Sequence, residues 1–372
     1  PSGCPVLQAQ GLVVCPGFID LHCHLRQPGF EDKETIATGT RAAARGGFTT
    51  ICCMPNTEPM IDSQAVVEYI KNVAQAEGVV RVLPIGCITK GRRGEELCEM
   101  AELAAAGVVG FSDDGSPVMD SRLMHHALEY SLAFGLPIID HCEDLSLTEG
   151  GVMNEGVMST KSGLGGIPCA AEEAIVARDL ALAELTGARV HIAHVSTAGS
   201  VALIRQAKRR GIRVTAEVTP HHLTLTEERV LSPIPYDTNA KVNPPLRTKD
   251  DIEALIQGLR EGVIDAIATD HSPHAAQDKL CEFDAAAFGI SGFETALGSL
   301  LSLVHQGEVE LRVLISKLTM EPAEVLGNNE LGTLKAGVPG DVTIFDPDRE
   351  WTVNPQDFAS KGKNTPLAGE RL

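Results

Sequence analysis

Aromatic side chains are scarce in this 372-residue chain: one Trp, three Tyr and ten Phe make up 4% of it. Positive charge is short as well, because 31 Lys plus Arg against 50 Asp plus Glu leave a net charge of −19. Such a field repels nucleic acid and anionic lipid, so neither is expected as a partner. No run approaches the ~20 apolar residues of a membrane span, and no basic stretch followed by an apolar one opens the chain. A cytoplasmic location is the expectation. Ten cysteines are dilute at this length, and several lie in apolar runs such as Ile51-Cys52-Cys53-Met54. They read as buried thiols rather than a disulfide framework.

What is present is the composition of a globular α/β protein, with 43% hydrophobic residues, 22% charged residues and a mean hydropathy of +0.03. Eight short β-branched or apolar runs recur, at 17–25, 48–54, 81–87, 108–114, 137–143, 189–196, 213–219 and 265–271. Between them, helix-period stretches occupy 35–45, 63–75, 94–105, 121–134, 170–186, 198–210 and 250–261, with further helices at 292–305, 311–318 and 322–325. Eight strands with helical crossovers predict a (β/α)₈ TIM-type barrel, with an open doubly wound sheet as the alternative. From Leu331 to Phe345 turn residues bracket short strands. The expected division is a catalytic barrel over 17–328 and a partial β-sandwich appendage from 1–16 with 329–372, which looks truncated at both ends. The segment 224–243 lacks periodicity and reads as a lid or a long connection.

Chemistry concentrates where the runs end. In Asp20-Leu21-His22-Cys23-His24-Leu25-Arg26, residues two apart on a strand face one side, so His22 and His24 can present imidazoles to one ion. Cys23 then faces the other way and reads as packing. Asp113 and Asp114 end the fourth run, His141 the fifth, His194 the sixth and Asp270 the eighth. In a closed barrel these ends converge on the catalytic face. A set of His and carboxylate donors with no required thiolate favours Zn²⁺ or a similar divalent ion, and six donors exceed what one tetrahedral zinc needs. A binuclear pair is therefore expected, with one ion as the alternative. Asp20 is expected to orient a ligand imidazole, His271 to support the site from behind, and His221 and His222 to reach the rim. His125, His126 and His305 read as surface or packing residues.

Seven ordered stretches carry a resemblance. They are Pro16–Arg26, Met54–Thr57, Phe111–Gly115, Asp140–Asp144, His191–Ser196, Asn243–Arg247 and Ala268–His274. The chain resembles the dihydroorotases of the bacterial type I branch, within the amidohydrolase superfamily, from about Gly11 to Leu367. The resemblance implies His22, His24 and Asp270 on one zinc and His141 and His194 on a second. Asp114 and a hydroxide would bridge the two, where many relatives use a carboxylated lysine. It further implies that Arg26, Asn56 and His274 hold the substrate carboxylate, and that Asn243 and the backbone near 288–292 approach the ring. Gln27 stands where the family pattern has an acid.

The implied reaction is the reversible cyclisation of N-carbamoyl-L-aspartate to L-dihydroorotate in pyrimidine synthesis. Asp270 would be the catalytic base and acid, with activity falling in mild acid as it protonates. Allantoinase and hydantoinase or dihydropyrimidinase chemistry are the alternatives, and Arg26 with Asn56 argues against them. An inactive scaffold for aspartate carbamoyltransferase is disfavoured because all six donors are present. Partnership of an active enzyme with that transferase stays open, and self-association into a homo-oligomer is expected.

Overall fold

A computed structural model describes residues 6–372, so residues 1–5 of the expected appendage lie outside the described residues. Runs of β-branched and thiol side chains form β2 (Phe18–Cys23) and β3 (Phe48–Cys53), preceded by β1 (Val13–Pro16) and followed by β4 (Arg81–Pro84). After these come β5 (Ile138–Asp140), β6 (Met153–Asn154), β7 (Gly166–Ile167), β8 (Val190–Ile192), β9 (Val214–Val218), β10 (Ala266–Ile267) and β11 (Val342–Phe345).

Strands β2, β3 and β4 pair in parallel, as do β5, β8, β9 and β10. Two single-residue parallel bridges, Gly86 to Phe111 and Phe111 to Ile138, join the two sheets on one side. A third, Cys23 to His271, joins them on the other. The ring is thus closed, as a TIM-type barrel requires. The expected fourth strand at 108–114 is a correction. It contributes paired geometry only around Phe111, because Asp113 turns its carboxylate onto the backbone amides of Ile88 (2.8 Å) and Thr89 (3.1 Å) instead of continuing a ladder.

The helices are α1 (Ile36–Arg45), α2 (Gln64–Glu77), α3 (Met100–Ala106), α4 (Ser121–Ser131), α5 (Leu145–Thr148), α6 (Val157–Ser162) and α7 (Cys169–Thr186). They continue as α8 (Ala198–Arg209), α9 (Pro220–Thr224), α10 (Lys249–Arg260), α11 (Ala276–Lys279), α12 (Phe293–His305), α13 (Leu311–Leu318) and α14 (Met320–Val325). Thr35 and Thr248 cap α1 and α10 with reciprocal side-chain bonds to Thr38 and Asp251, which fixes where those helices begin. The helix expected from residue 94 starts only at Met100, since Leu97 pairs antiparallel with Thr89 and the Cys98 amide donates to the Ile88 carbonyl (2.9 Å). The excursion β6–α6–β7 was not foreseen: its strands are two residues each and carry no readable period.

Ile19, Leu21, Cys52, Met54, Ile85, Ile139, Ala193, Ala266 and Ala268 form one buried cluster. They come from strands all round the ring, so this is the barrel interior, and alanines fit where the strands crowd. Phe18, Cys23, Phe48 and Phe293 belong to the larger cluster between strands and helices. Leu21 and Cys23 fall in different clusters because the ladder is irregular between Asp20 and Cys23.

Outside the barrel, β1 and β11 form an antiparallel ribbon with Val13 opposite Phe345. Further on, Asn364 bonds back to barrel loops. The segment 224–243 holds two 3₁₀ turns, Glu227–Val230 and Thr238–Ala240. Among the described residues no helix is long and apolar enough to cross a membrane.

Candidate metal centre

Strand ends bring His22, His24, Asp114, His141, His194 and Asp270 together, all buried. The His22 and His24 rings are 5.4 Å apart, and those of His141 and His194 are 4.7 Å apart. Asp114 lies among all four. Its Oδ1 is 3.3 Å from His22 Nε2, 3.7 Å from His141 Nδ1 and 3.6 Å from His194 Nε2, while its Oδ2 is 3.7 Å from His24 Nε2. Asp270 Oδ1 reaches His24 Nε2 at 3.0 Å and His22 Nε2 at 3.7 Å. One carboxylate therefore faces two imidazole pairs, and the other faces only the first.

The outward nitrogens are already committed. His22 Nδ1 donates to Glu217 Oε1 (2.8 Å), His24 Nδ1 to Asn56 Oδ1 (2.9 Å) and His141 Nε2 to Glu143 Oε2 (2.8 Å). Each bond turns the opposite ring nitrogen inward, as in metal-binding histidines, where a metal would replace the protons that the contacts of His24 Nε2 with Asp270 Oδ1 (3.0 Å) and of His141 Nδ1 with His194 Nε2 (2.8 Å) require. His22 Nε2 and Asp114 Oδ1 are buried without a hydrogen-bond partner among the described residues. Orphaned buried acceptors are costly, and a shared cation satisfies them together. The residues fit a metal.

Electrostatics agree. Burial opposes a charge on His22, but Asp114 and then Glu217 outweigh it and raise its pKa well above the usual value. For Asp114, burial is outweighed by His22 and His194, and the pKa falls well below the usual range. Asp270 also falls far below it, burial being overcome chiefly by His24 and His22. This corrects the expectation of an acid limb from Asp270: it stays ionised through mild acid.

Among the described residues, three of the five non-glycine residues with positive φ stand here, Arg26 at 63°, His194 at 31° and Asp270 at 46°. Strain of this kind collects where function fixes the backbone.

Beside the donors, Arg26, Asn56, Asn243 and His274 line the same cavity of about 210 Å³, with Ser272, Phe288 and Gly289. Size alone would point elsewhere, since a concavity of about 840 Å³ lies on the barrel flank near Trp351 and holds none of these residues. Arg26 donates from Nη2 to Ser272 Oγ (2.9 Å) and from Nε to the Pro273 carbonyl (3.2 Å), which leaves Nη1 free. Burial lowers the Arg26 pKa to about 10. Asn56 accepts His24 through its oxygen, so its NH₂ remains for a ligand. Asn243 donates to Glu143 (2.9 Å), so its oxygen remains. His274 gives its Nε2 hydrogen to the Phe288 carbonyl (2.7 Å).

Glu217 is the residue that sequence reasoning missed. It is fully buried, binds His22 and His191 on its two oxygens, and is held down to about 2 where burial is overcome by those histidines. A lone carboxylate inside the apolar run Val214–Val218 was the available signal. Asp20 does not orient a ligand: the Thr269 amide (2.7 Å) and hydroxyl (2.8 Å) occupy its oxygens. His271 stacks on Phe293, with ring centroids 4.2 Å apart, and pairs with Glu34, while its carbonyl accepts the His24 amide (2.9 Å), so it supports the strand end from behind. His222 is buried rather than at the rim, bonded to Thr219 and to the Pro244 carbonyl. Gln27 accepts from the Ile36 amide (2.9 Å) and donates to Tyr69 (3.1 Å), so it caps α1 outside the cavity.

A family model described as Dihydro-orotase-like matches residues 11–200. The chain is 56% identical over 368 residues to a dihydroorotase of Thermoanaerobacter sp. (strain X514), covering 99% of this chain and 84% of that one. It is 56% identical over 372 residues to a dihydroorotase of Pelotomaculum thermopropionicum, covering 100% and 86%. Among solved structures it superposes on an L-hydantoinase (dihydropyrimidinase) from Arthrobacter aurescens with a TM-score of 0.87 at 26% identity, covering 98% of this chain and 83% of that one. A dihydropyrimidinase from Brevibacillus agri, at TM-score 0.85 and 22% identity over 100% and 84% of the chains, shares the fold.

Proposed function

The chain belongs to the dihydroorotase family, and from that premise we propose that its six metal donors and its carboxylate-binding residues act on one small substrate held between them. The enzyme is a metal-dependent cyclic amidohydrolase that interconverts N-carbamoyl-L-aspartate and L-dihydroorotate in pyrimidine synthesis. We assign His22, His24 and Asp270 to one zinc ion, His141 and His194 to a second, and Asp114 to the bridge between them. Asp114 lies 3.3–3.7 Å from nitrogens of both imidazole pairs, His22 with His24 and His141 with His194, which supports a carboxylate shared between two ions. When bound, zinc polarises a carbonyl and makes water a nucleophile near neutral pH.

The protein's own residues then do the following. Arg26 offers Nη1 and Asn56 its NH₂ to the substrate carboxylate, a charge-assisted pairing that fixes which face of the ring meets the metals. His274 joins them by exchanging the Phe288 carbonyl for the carboxylate. In the hydrolytic direction Asp270, anchored against His24, takes a proton from the attacking water. It returns that proton to the ring nitrogen as the C–N bond breaks. In the cyclising direction the same carboxylate removes the nitrogen proton and gives it to the departing water.

The observation that carries this reading is Arg26: a guanidinium lining the metal cavity that no carboxylate of the described residues pairs with. An anionic substrate satisfies it, whereas a neutral hydantoin or dihydrouracil would leave it unpaired beside the metals. Turnover of L-dihydroorotate beside allantoin and dihydrouracil, on protein whose zinc is counted, tests it. Turnover of dihydroorotate alone, lost to chelator and restored by zinc with about two ions per chain, is expected. Preference for a neutral ring would overturn the role given to Arg26.

We further take 17–328 as the catalytic barrel and 1–16 with 329–372 as its appendage. A cytoplasmic location is supported by nine free cysteines among the described residues, seven of them buried. Self-association, and aspartate carbamoyltransferase as a partner, rest on the family resemblance alone.

A further inference from the structure

Away from the metal donors, the least expected charges in the molecule belong to two lysines. Lys241 is 2% exposed and donates from Nζ to the carbonyls of Phe283 (2.8 Å) and Asp284 (2.9 Å). Its ammonium also lies over the Phe288 ring, 4.5 Å from the centroid. Lys279 is 6% exposed and donates to the carbonyls of Ala287 (2.6 Å), Thr238 (3.0 Å) and Lys241 (3.4 Å). Each lysine thus reaches into the other's segment, and 238–241 is stitched to 279–289 in both directions. Every hydrogen bond they make goes to a backbone carbonyl, and no carboxylate of the described residues pairs with either. A buried ammonium without a counter-ion is a large desolvation cost, which packing alone does not justify twice in one place. Burial, and then the neighbouring Lys241, bring the Lys279 pKa down to about 7.

What these segments carry gives the lysines a purpose. The Phe288 carbonyl receives His274, and the Gly289 amide donates to the Lys241 carbonyl (2.8 Å). Gly289 has φ +134°, and a Cβ there would stand 2.6 Å from Ser272 Oγ, the atom that receives Arg26. Phe288 and Gly289 line the cavity, and Asn243 follows Lys241 by two residues. The charge is felt at the same end: after burial, Arg26 and then Lys279 hold His274 down to about 3.

We propose that Lys241 and Lys279 are positioning residues for the carboxylate end of the substrate. They fix the Phe288–Gly289 wall against which Arg26 and His274 work, and they lend that end a partial positive charge that no carboxylate of the described residues contacts directly. In a chain of net charge −19, such charge is a means of drawing an anion to one end of the cavity. The inference rests on the reading of Arg26 as the carboxylate grip.

The test compares zinc-loaded Lys279→Met, Lys241→Met and Arg26→Met with the unaltered enzyme in steady-state turnover of L-dihydroorotate. Each lysine variant is expected to raise KM at least tenfold while kcat stays within threefold and zinc per chain is unchanged. A merely structural staple would lower kcat and zinc content along with thermal stability, and that pattern, or an unchanged KM, overturns the proposal. Should the methionine variants not fold, Lys279→Gln keeps a donor and loses the charge. The same rise in KM is expected of it, and an unchanged KM again overturns the proposal. If Arg26→Met itself leaves KM unchanged, the carboxylate grip is wrong. If Arg26→Met raises KM and the lysine variants do not, the lysine inference alone fails.

Discussion

The two sides of the cavity are built by different means. On the metal side, six donors stand at strand ends of a closed barrel, and their outer nitrogens are fixed by Glu217, Asn56 and Glu143. On the carboxylate side, Arg26, His274, Phe288 and Gly289 sit on loops, and their geometry depends on Ser272, two lysines and an asparagine near the chain's end. The hydantoinase-like structures share the barrel at low identity. On the function proposed above, this contrast is a division of labour: strand ends would hold the bond-breaking chemistry, and loops would select what is brought to it.

The largest expected effect breaks the metal side. Asp270→Asn removes the proton carrier and should lower kcat by roughly a thousandfold, within the range for a lost general base. Steady-state turnover on protein of known zinc content checks this; full zinc with full turnover would remove Asp270 from the mechanism. Next is Arg26→Met, which should lower kcat/KM by about a hundredfold, mainly through KM, as a charged hydrogen-bonding pair of about 1.5–3 kcal/mol is lost. A fall confined to kcat would place Arg26 with the chemistry instead and blur the division.

A smaller effect sharpens the metal side from behind. Glu217→Gln keeps the shape but weakens the hold on His22, and should cost about ten- to a hundredfold in zinc affinity, read by competition with a chelator. The pH dependence has a definite sign. Without metal, the folded-state pKa values of His22 and His141 are raised, so these imidazoles hold protons that zinc must displace. Apparent zinc affinity should therefore rise with pH and fall as pH drops through those raised values, while Asp114 and Asp270, both depressed, stay ionised throughout. Zinc binding that releases no protons would contradict the raised pKa values of His22 and His141.

The same division governs what the sequence made legible. Donors at strand ends could be found because period-two runs announce strands and a barrel gathers their ends; His22 with His24 follow directly, while only the family resemblance singled out Asp114 from the pair Asp113-Asp114. Parity also placed Cys23 outward, where its thiol meets the Cys52 carbonyl. Asp20 misled because parity fixes a face but not a partner, and Thr269 lay closer than any imidazole. Run 108–114 pairs with both neighbouring strands around Phe111, but over a shorter length than its apolar pattern suggests, because Asp113 bends its end away. Arg26 was readable from its place beside the histidines. The lysines and Asn364 were not, since their roles depend on loops meeting across long stretches of chain, which no local period records.

Asn364 offers the finest break in the comparison. Its oxygen accepts from the His274 amide (2.9 Å) and the Ser291 hydroxyl (2.8 Å), and its NH₂ donates to the carbonyls of Ser272 (3.0 Å) and Gly289 (3.0 Å). One buried side chain therefore joins three parts of the carboxylate wall and contacts no metal donor. Asn364→Ala leaves those groups unpaired at a cost of about 1–3 kcal/mol each before relaxation, part of which returns as the wall shifts. A loosened wall is a worse seat for an anion but leaves the bond-breaking groups in place. KM should rise several-fold, with kcat and zinc content close to unchanged and a lowered thermal midpoint. Asn364→Asp keeps the His274 amide bond but turns an anionic oxygen onto the Ser272 and Gly289 carbonyls beside the anion seat, and should raise KM at least as far as alanine does. If either variant instead lowered kcat or released zinc with KM unmoved, the wall and the metal cluster would be one mechanical unit, and the separation of selection from chemistry would not hold.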